Sequence, residues 1–195
     1  FKNLKKYKNK ITFKKIKNIS DYTSRMLVKN KVIGFFQGKM EFGPRALGSR
    51  SILYNTKDKS VNDWLNKRLK RTEFMPFAPV TTKKLANKCF KEWSHKDNCT
   101  PFMTKTFKCK NEFRKKNPAV VHVDGTARPQ VVDRKFNKVY FDSISKYFKI
   151  SGQDSLINTS FNQHEEPIVC FPADAIKSLL SNNVDILVMG KFAIE

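Results

Sequence analysis

The chain's 195 residues, 22.7 kDa and 39% hydrophobic content suit one domain with a core of its own. A formal net charge of +22 and a pI near 10.0 point to polyanionic partners, whether phosphate ligands, nucleic acid or a membrane surface, although lysine spread along the whole chain also reads as solvated surface. No apolar run has the length to cross a bilayer and no signal-peptide core follows the basic start, which excludes a spanning protein and predicts a soluble, cytoplasmic one.

Residues 1–18 carry eight lysines among alternating apolar positions, the pattern of an edge strand or a connecting segment. Residues 1–20 are therefore set apart from a single domain over 21–195, and a start at Phe1 suggests the end of a longer protein. Ser20 fits the N-cap of a helix through Tyr22, Met26 and Leu27, and Lys31 to Phe36 reads as a buried strand. That strand delivers the stretch from Gly34 to Ile52, where Gly38, Gly43 and Gly48 recur every five residues among the cations Lys39, Arg45 and Arg50. Such a backbone turns repeatedly and brings its N–H groups close to a ligand. Pro44 suits the first position of a short helix, with the N–H groups of Arg45 and Ala46 aimed at a phosphate. No register gives the Gly-x-x-x-x-Gly-Lys-Ser/Thr of a P-loop, and on composition alone a glycine-rich turn with solvated cations is the commoner outcome.

Further along, Arg50 to Tyr54 reads as a short strand, and Ser60 as the cap of a helix with its stripe at Val61, Trp64, Leu65 and Leu69. Lys67, Arg68, Lys70 and Arg71 cluster before Phe74 to Val80, which its prolines mark as an edge strand or loop. Lys83 to Asn117 is polar and lysine-rich, with Phe90, Trp93, Phe102, Phe107 and Phe113 interleaved. These aromatics fit the buried anchors of a surface excursion, with a stacking platform for single-stranded nucleic acid as the other reading. Cys89, Cys99 and Cys109 with His95 lack a Cys-x-x-Cys pair, so reduced thiols are preferred to a zinc site, and no metal ligands are assigned. Two β-rich runs flank Asp124-Gly125 as in a hairpin, with Arg128 near the turn. Tyr140, Ile144, Tyr147 and Phe148 form a helical stripe ended by Gly152, followed by a strand into Asn158-Thr-Ser-Phe-Asn162. Unaided, that cluster of hydroxyls and amides reads as a capped turn. Pro172 opens a last helix, and Asp185 to Met189 a last buried strand. Helices are thus expected near 20–30, 60–70, 140–150 and 172–182.

The order of residues from Lys39 to Ile52, Lys-Met-Glu-Phe-Gly-Pro-Arg-Ala-Leu-Gly-Ser-Arg-Ser-Ile, closely resembles the signature of the C-terminal, YrdC-like domain of the NodU/CmcH-type carbamoyltransferases. Lys70, Arg71, Phe74 and Pro76 to Pro79 match a second block of that family, with Thr72 and Met75 in place of a glutamate and an arginine. His122 to Arg128 with Gln130 is similar to a third, and Asn158 to Asn162 with Glu166 to Val169 to a fourth, where Glu165 replaces the usual glycine. The four blocks are collinear between Lys31 and Glu195.

The resemblance implies an α/β fold, a YrdC-like twisted mixed β-sheet with flanking helices. It further implies binding of ATP with Mg²⁺ and of carbamoyl phosphate, formation of carbamoyl adenylate, and an N-terminal Kae1-like domain that passes the carbamoyl group to an acceptor hydroxyl. Carried onto this sequence, Lys70, Arg71, Arg128 and Ser160 would work at the reacting groups, and Lys39, Arg45, Arg50, Asn158 and Asn162 would bind the nucleotide. Adenylate chemistry asks for fixed cations and hydrogen-bond donors more than for a protein nucleophile, which is the set these residues supply. Two other readings stay open: a threonylcarbamoyl-adenylate synthase-like enzyme, and a non-enzymatic, basic RNA-binding module of the same fold.

Overall fold

Along residues 32–36, side chains alternate between two buried environments: Ile33 and Phe35 enter one core, Val32 and Phe36 the other. A strand buried on both faces needs helices on both, and that requirement organises the molecule. The structure is a computed structural model and describes residues 6, 7, 9–71 and 76–195.

In chain order the strands are Phe13–Lys15 (β1), Ile33–Phe36 (β2), Arg50–Tyr54 (β3), Ala78–Thr82 (β4), Phe107–Lys108 (β5), Thr126–Ala127 (β6), Gln130–Val132 (β7), Leu156–Ser160 (β8), Ile186–Met189 (β9) and Phe192–Ile194 (β10). Eight of them form one mixed sheet in the order β1, β10, β9, β2, β3, β8, β4, β7, while β5 and β6 pair separately. The helices are Ile19–Val28 (α1), Val61–Arg68 (α2), Lys83–Cys89 (α3), Asn111–Lys116 (α4), Lys138–Ser151 (α5) and Pro172–Leu180 (α6). On one face α1 and α5 pack together, with Leu27, Tyr140, Ile144 and Tyr147 over Phe35 and Leu53. On the other, Leu65 and Leu69 of α2 and Ile176 and Leu179 of α6 share a core with Ile52, Ile157 and Phe161. Each such side chain, once fully buried, contributes about 1.5–3 kcal/mol before entropy is counted.

The four expected helices are present, and Phe13–Lys15 is an edge strand. Several local expectations need correction. The cap of α1 is Asn18, whose side chain accepts from Asp21 N, and not Ser20. Ser60 makes no side-chain cap bond; the preceding turn is closed by Asp58 Oδ1, which accepts from Ser60 N at 2.9 Å. Pro44 starts no helix. Phe74 and Met75 lie outside the described residues, and Ala78–Thr82 is an interior strand between β8 and β7. Pro79 is tolerated there because pairing with β7 begins only at Val80, so the ring has a neighbouring strand on one side alone.

The expected hairpin is also different. His122 N donates to Thr126 O and closes the turn, but Pro118–Val120 is a 3₁₀ turn, and the second run is divided at Arg128 and Pro129. Its first part, β6, pairs with β5, and its second, β7, joins the main sheet beside β4. Pro129 explains the division, since a residue without an N–H cannot continue a ladder. In the middle segment Phe90, Trp93, Phe107 and Phe113 are buried, as anchors should be, and only Phe102 is exposed. Their burial removes most of the platform that a stacked nucleic acid would use. Cys89 and Cys109 are buried free thiols, each pushed up to about 12 mainly by burial. Among the described residues, no three His, Cys, Asp or Glu side chains are gathered as metal ligands, and no helix is long and apolar enough to cross a membrane.

Strand direction now matters. β2, β8 and β9 run one way, and β3, β4 and β7 the other. The C-terminal ends of β2 and β8 therefore share one end of the sheet with the N-terminal ends of β3, β4 and β7.

Candidate functional site

All four sequence blocks arrive at that end. Gln37 to Ser49 links β2 to β3, the described part of the Lys70 to Pro79 block leads into β4, Arg128 and Pro129 lead into β7, and Asn158 to Glu166 leaves β8. Blocks far apart in sequence become neighbours because the sheet places their strands side by side, with β3 and β8 paired at Leu53–Asn158 and Ser51–Ser160.

The glycine-rich loop is held from inside by Glu41. Its Oε1 accepts from Leu47 N at 2.7 Å and Ser49 N at 2.6 Å, with Arg50 N at 3.4 Å. A carboxylate of the chain itself thus occupies part of the amide cradle that the loop builds. The N–H groups of Arg45 and Ala46 have no partner among the described residues. Gly38, Gly43 and Gly48 all have positive φ, and Gly48 also touches the Tyr140 ring.

Arg50 is the second staple. The residue is 4% exposed, and its guanidinium donates to Gln37 O, Ser49 O and Gly38 O and lies 3.6 Å from the Phe36 ring centroid. Burial lowers its pKa, with the nearby Glu41 charge opposing. Asn158 is equally interior: it donates to Ala46 O at 3.0 Å and Gln130 Oε1 at 2.8 Å. Gln130 in turn donates to Leu47 O and accepts from the Tyr140 hydroxyl, while Asn137 donates to Gly48 O. Gly48 N donates to Ser51 Oγ of β3, so three strands and the cap of α5 grip residues 46–48. Within this frame Arg50 Nε, Glu41 Oε2 and Asn158 Oδ1 are buried without a protein partner among the described residues, a concentration of unmet polar capacity typical of functional positions.

The remaining predicted residues stand around the frame. Arg71 donates to Thr159 Oγ1 at 3.0 Å, which joins the second block to the fourth, and burial lowers its pKa. Lys70 precedes it with φ +55 and is exposed, as are Lys39 and Arg45. Ser160 donates to Asn162 Oδ1 at 2.6 Å, and Asn162 donates to Glu166 O, so these two close the turn after β8. Arg128 is partly buried and has no carboxylate or hydrogen-bond partner among the described residues; burial lowers its pKa and the positive charge of Arg45 lowers it further. Positive charges that act on one another without a compensating carboxylate favour an anion nearby.

Glu41, Gln130, Asn137 and Tyr140 were not among the expected site residues. Glu41 and Gln130 stand inside quoted blocks, so their presence there was a usable signal; Asn137 and Tyr140 carry none beyond helix capping and periodicity. On the α2 side, a cleft of about 1130 Å³ opens between Lys59 and Ser60, Pro76, Arg114, and the His122 to Asp124 turn.

A family model described as "Carbamoyltransferase C-terminus" matches residues 24–195. The chain belongs to the carbamoyltransferase C-terminus family. It is 39% identical over 193 residues to the uncharacterized protein MJ1058 of Methanocaldococcus jannaschii, covering 97% of this chain and 31% of that protein. It is 38% identical over 186 residues to the nodulation protein NolNO of Sinorhizobium fredii, covering 95% of this chain and 27% of the relative. The chain thus spans about a third of the curated relatives it matches. Among solved structures, full-length HypF in a phosphate- and nucleotide-bound form superposes with a TM-score of 0.58 at 17% identity, over 92% of this chain and 22% of HypF. That likeness shows the fold, the YrdC-like mixed sheet with flanking helices.

Proposed function

We propose that this carbamoyltransferase C-terminal domain binds ATP and carbamoyl phosphate, lets water cleave carbamoyl phosphate to carbamate and inorganic phosphate, joins the carbamate oxygen to the α-phosphorus of ATP with pyrophosphate as leaving group, and supplies the carbamoyl group of the resulting adenylate to a Kae1-like acceptor domain. The observation that carries the reading is the uncompensated positive charge at Arg128, which is partly buried, lacks a carboxylate partner among the described residues and feels the charge of Arg45, whose loop also carries the unpartnered N–H groups of Arg45 and Ala46. Such a set stabilises phosphate charge before and during the reaction without having to reorganise. Glu41, Arg50, Asn158 and Gln130 then act as positioning residues that hold the loop in shape. Arg71, anchored on Thr159, and exposed Lys70 and Lys39 add cations at the rim, and Ser160 with Asn162 offers hydroxyl and amide groups to a carbamoyl oxygen or nitrogen. Mg²⁺ in this reading enters on the ATP phosphates and neutralises them, retaining most of its water, since no carboxylate set is gathered for it among the described residues.

The test is carbamoyl-phosphate-dependent release of pyrophosphate from ATP. Arg128→Ala should lower turnover or ligand affinity by about 1.5–3 kcal/mol, the value of a charge-assisted bond. Arg128→Lys should recover little, because a point charge does not replace a planar fork. The melting temperature should hold or rise slightly, since Arg128 is repelled by Arg45 in the folded state. Unchanged turnover in Arg128→Ala would remove the residue from the site.

A further inference from the structure

The turn from His122 to Thr126 carries a relay of side chains that its closure does not require. Backbone bonds already close it: His122 N donates to Thr126 O at 2.7 Å and Gly125 N to His122 O at 2.9 Å, while Thr126 N donates to Asp124 Oδ1 at 2.9 Å. Arg114 braces it, its guanidinium so close to Gly125 that a Cβ there would lie 3.2 Å from Arg114 Cζ. Over this closed frame runs a second line of contacts: Thr126 Oγ1 donates to Asp124 Oδ1 at 2.7 Å, and His122 Nδ1 lies 3.0 Å from Thr126 Oγ1. A hydroxyl has one hydrogen and a carboxylate only accepts, so Thr126 gives its hydrogen to Asp124 and accepts from His122. The bonds from Thr126 hold the Asp124 carboxyl below its ordinary range, which keeps it an acceptor at neutral pH. The proton of the neutral imidazole is therefore on Nδ1. Nε2 keeps its lone pair and has no partner among the described residues.

We infer that His122 Nε2 is the general base that takes a proton from the water attacking carbamoyl phosphate, an inference that rests on the reading above. A ring oriented through Nδ1–H by a hydroxyl that is itself held by a carboxylate presents Nε2 in a fixed direction, which is what a base needs. His122 is a partly buried wall of the α2-side cleft and feels the charge of Arg128, the residue assigned to the anion. Burial and Arg128 both favour the neutral ring, with Asp124 opposing, so the lone pair is available at neutral pH. In the step, the water oxygen bonds to the carbamoyl carbon, and the bond from that carbon to the phosphate oxygen breaks with its electron pair leaving on phosphate. His122 takes one water proton and returns it to the departing phosphate. The other passes from carbamic acid to solvent, and the products are carbamate and hydrogen phosphate. Thr126 and Asp124 touch no reacting atom in this step and act as positioning residues.

The experiment measures phosphate release from carbamoyl phosphate and pyrophosphate release from ATP, with Mg²⁺, in wild type, His122→Gln, Thr126→Val and Thr126→Ser, and repeats the second assay with ammonium carbamate in place of carbamoyl phosphate. His122→Gln should slow phosphate release by about 10²–10⁴-fold, the range of a positioned base. Carbamate bypasses the hydrolytic step, so pyrophosphate release from ATP with carbamate should match wild type. Thr126→Val should show the same pattern less steeply, and Thr126→Ser, which keeps the hydroxyl, should restore the wild-type rate. Circular dichroism checks each fold, and if His122→Gln does not fold, the contrast between Thr126→Val and Thr126→Ser decides. Unchanged phosphate release in His122→Gln, or in Thr126→Val where that pair decides, overturns the base. So does a loss that carbamate fails to bypass, since a residue that only shapes the site would impair both steps. A wild type that works with carbamate alone overturns the hydrolytic step and its base, and one that works with neither overturns the proposed function itself.

Discussion

Tyr140 packs so closely on Gly48 that a β-carbon there would come within 2.6 Å of its ring, at a backbone φ of +114°. The third glycine of the loop is therefore fixed by two separate demands, a left-handed backbone and the approach of a buried aromatic. Gly48→Ala adds backbone strain to overpacking and should destabilise by about 2–4 kcal/mol. Thermal unfolding measures it. A stability loss under 1 kcal/mol would mean that the helix carrying Tyr140 yields easily.

Glu41 gives a second prediction. Glu41→Ala deprives Leu47 N and Ser49 N of their carboxylate acceptor and should cost about 3–6 kcal/mol of stability, at the level of two charge-assisted bonds. Amide hydrogen exchange at Leu47 and Ser49 should accelerate by more than at Ile52. Equal acceleration at all three would show global destabilisation instead of a loosened loop.

Glu165 holds φ at +60°, a conformation that glycine adopts freely and a residue with a side chain adopts under strain. Its carboxylate is 88% exposed and 4.0 Å from the His164 ring, a contact of little energetic consequence. Glu165→Gly should therefore raise stability by about 0.5–1 kcal/mol, the relief of strain less the added chain entropy. A lowered melting temperature would assign Glu165 a favourable interaction not visible in its surroundings.

His122 predicts a pH dependence. Burial lowers its pKa below the ordinary 6.5, and Arg128 lowers it further while Asp124 opposes. The unfolded chain then binds a proton at higher pH than the folded one, so stability is complete above about 6.5 and declines as pH falls below it. His122→Gln should flatten that part of the melting-temperature profile relative to wild type. An identical profile in the variant would place the titration elsewhere.

Helices were legible because their apolar stripes follow the 3.6-residue period, and α5 lies over Lys138–Ser151 as Tyr140, Ile144 and Tyr147 suggest. The end of α5 was legible for a different reason, since Gly152 takes the left-handed conformation that stops a helix. The Asp124-Gly125 turn misled because turn chemistry is local, while the partners of Thr126–Ala127 and Gln130–Val132 are set by strands far away in sequence. The site was legible as a set of blocks but not as a division of labour. Nothing in one-dimensional spacing distinguishes Arg50, buried under three carbonyls, from Arg45, which is exposed. That difference arises only when β3 becomes an interior strand and carries its first residue inward.

The short strand β1 closes the sheet against β10 through three residue pairs, with Thr12 and Glu195 exchanging backbone bonds beyond them. A pull applied ahead of Phe13 would meet this clasp first and peel it like the end of a zip. The strands that bear Arg128 and the glycine-rich loop lie further across the sheet, behind β10 and β9. Tension or thermal fraying at that border would be spent before reaching the ligand, so exchange of the β1 amides should be fast and indifferent to ATP.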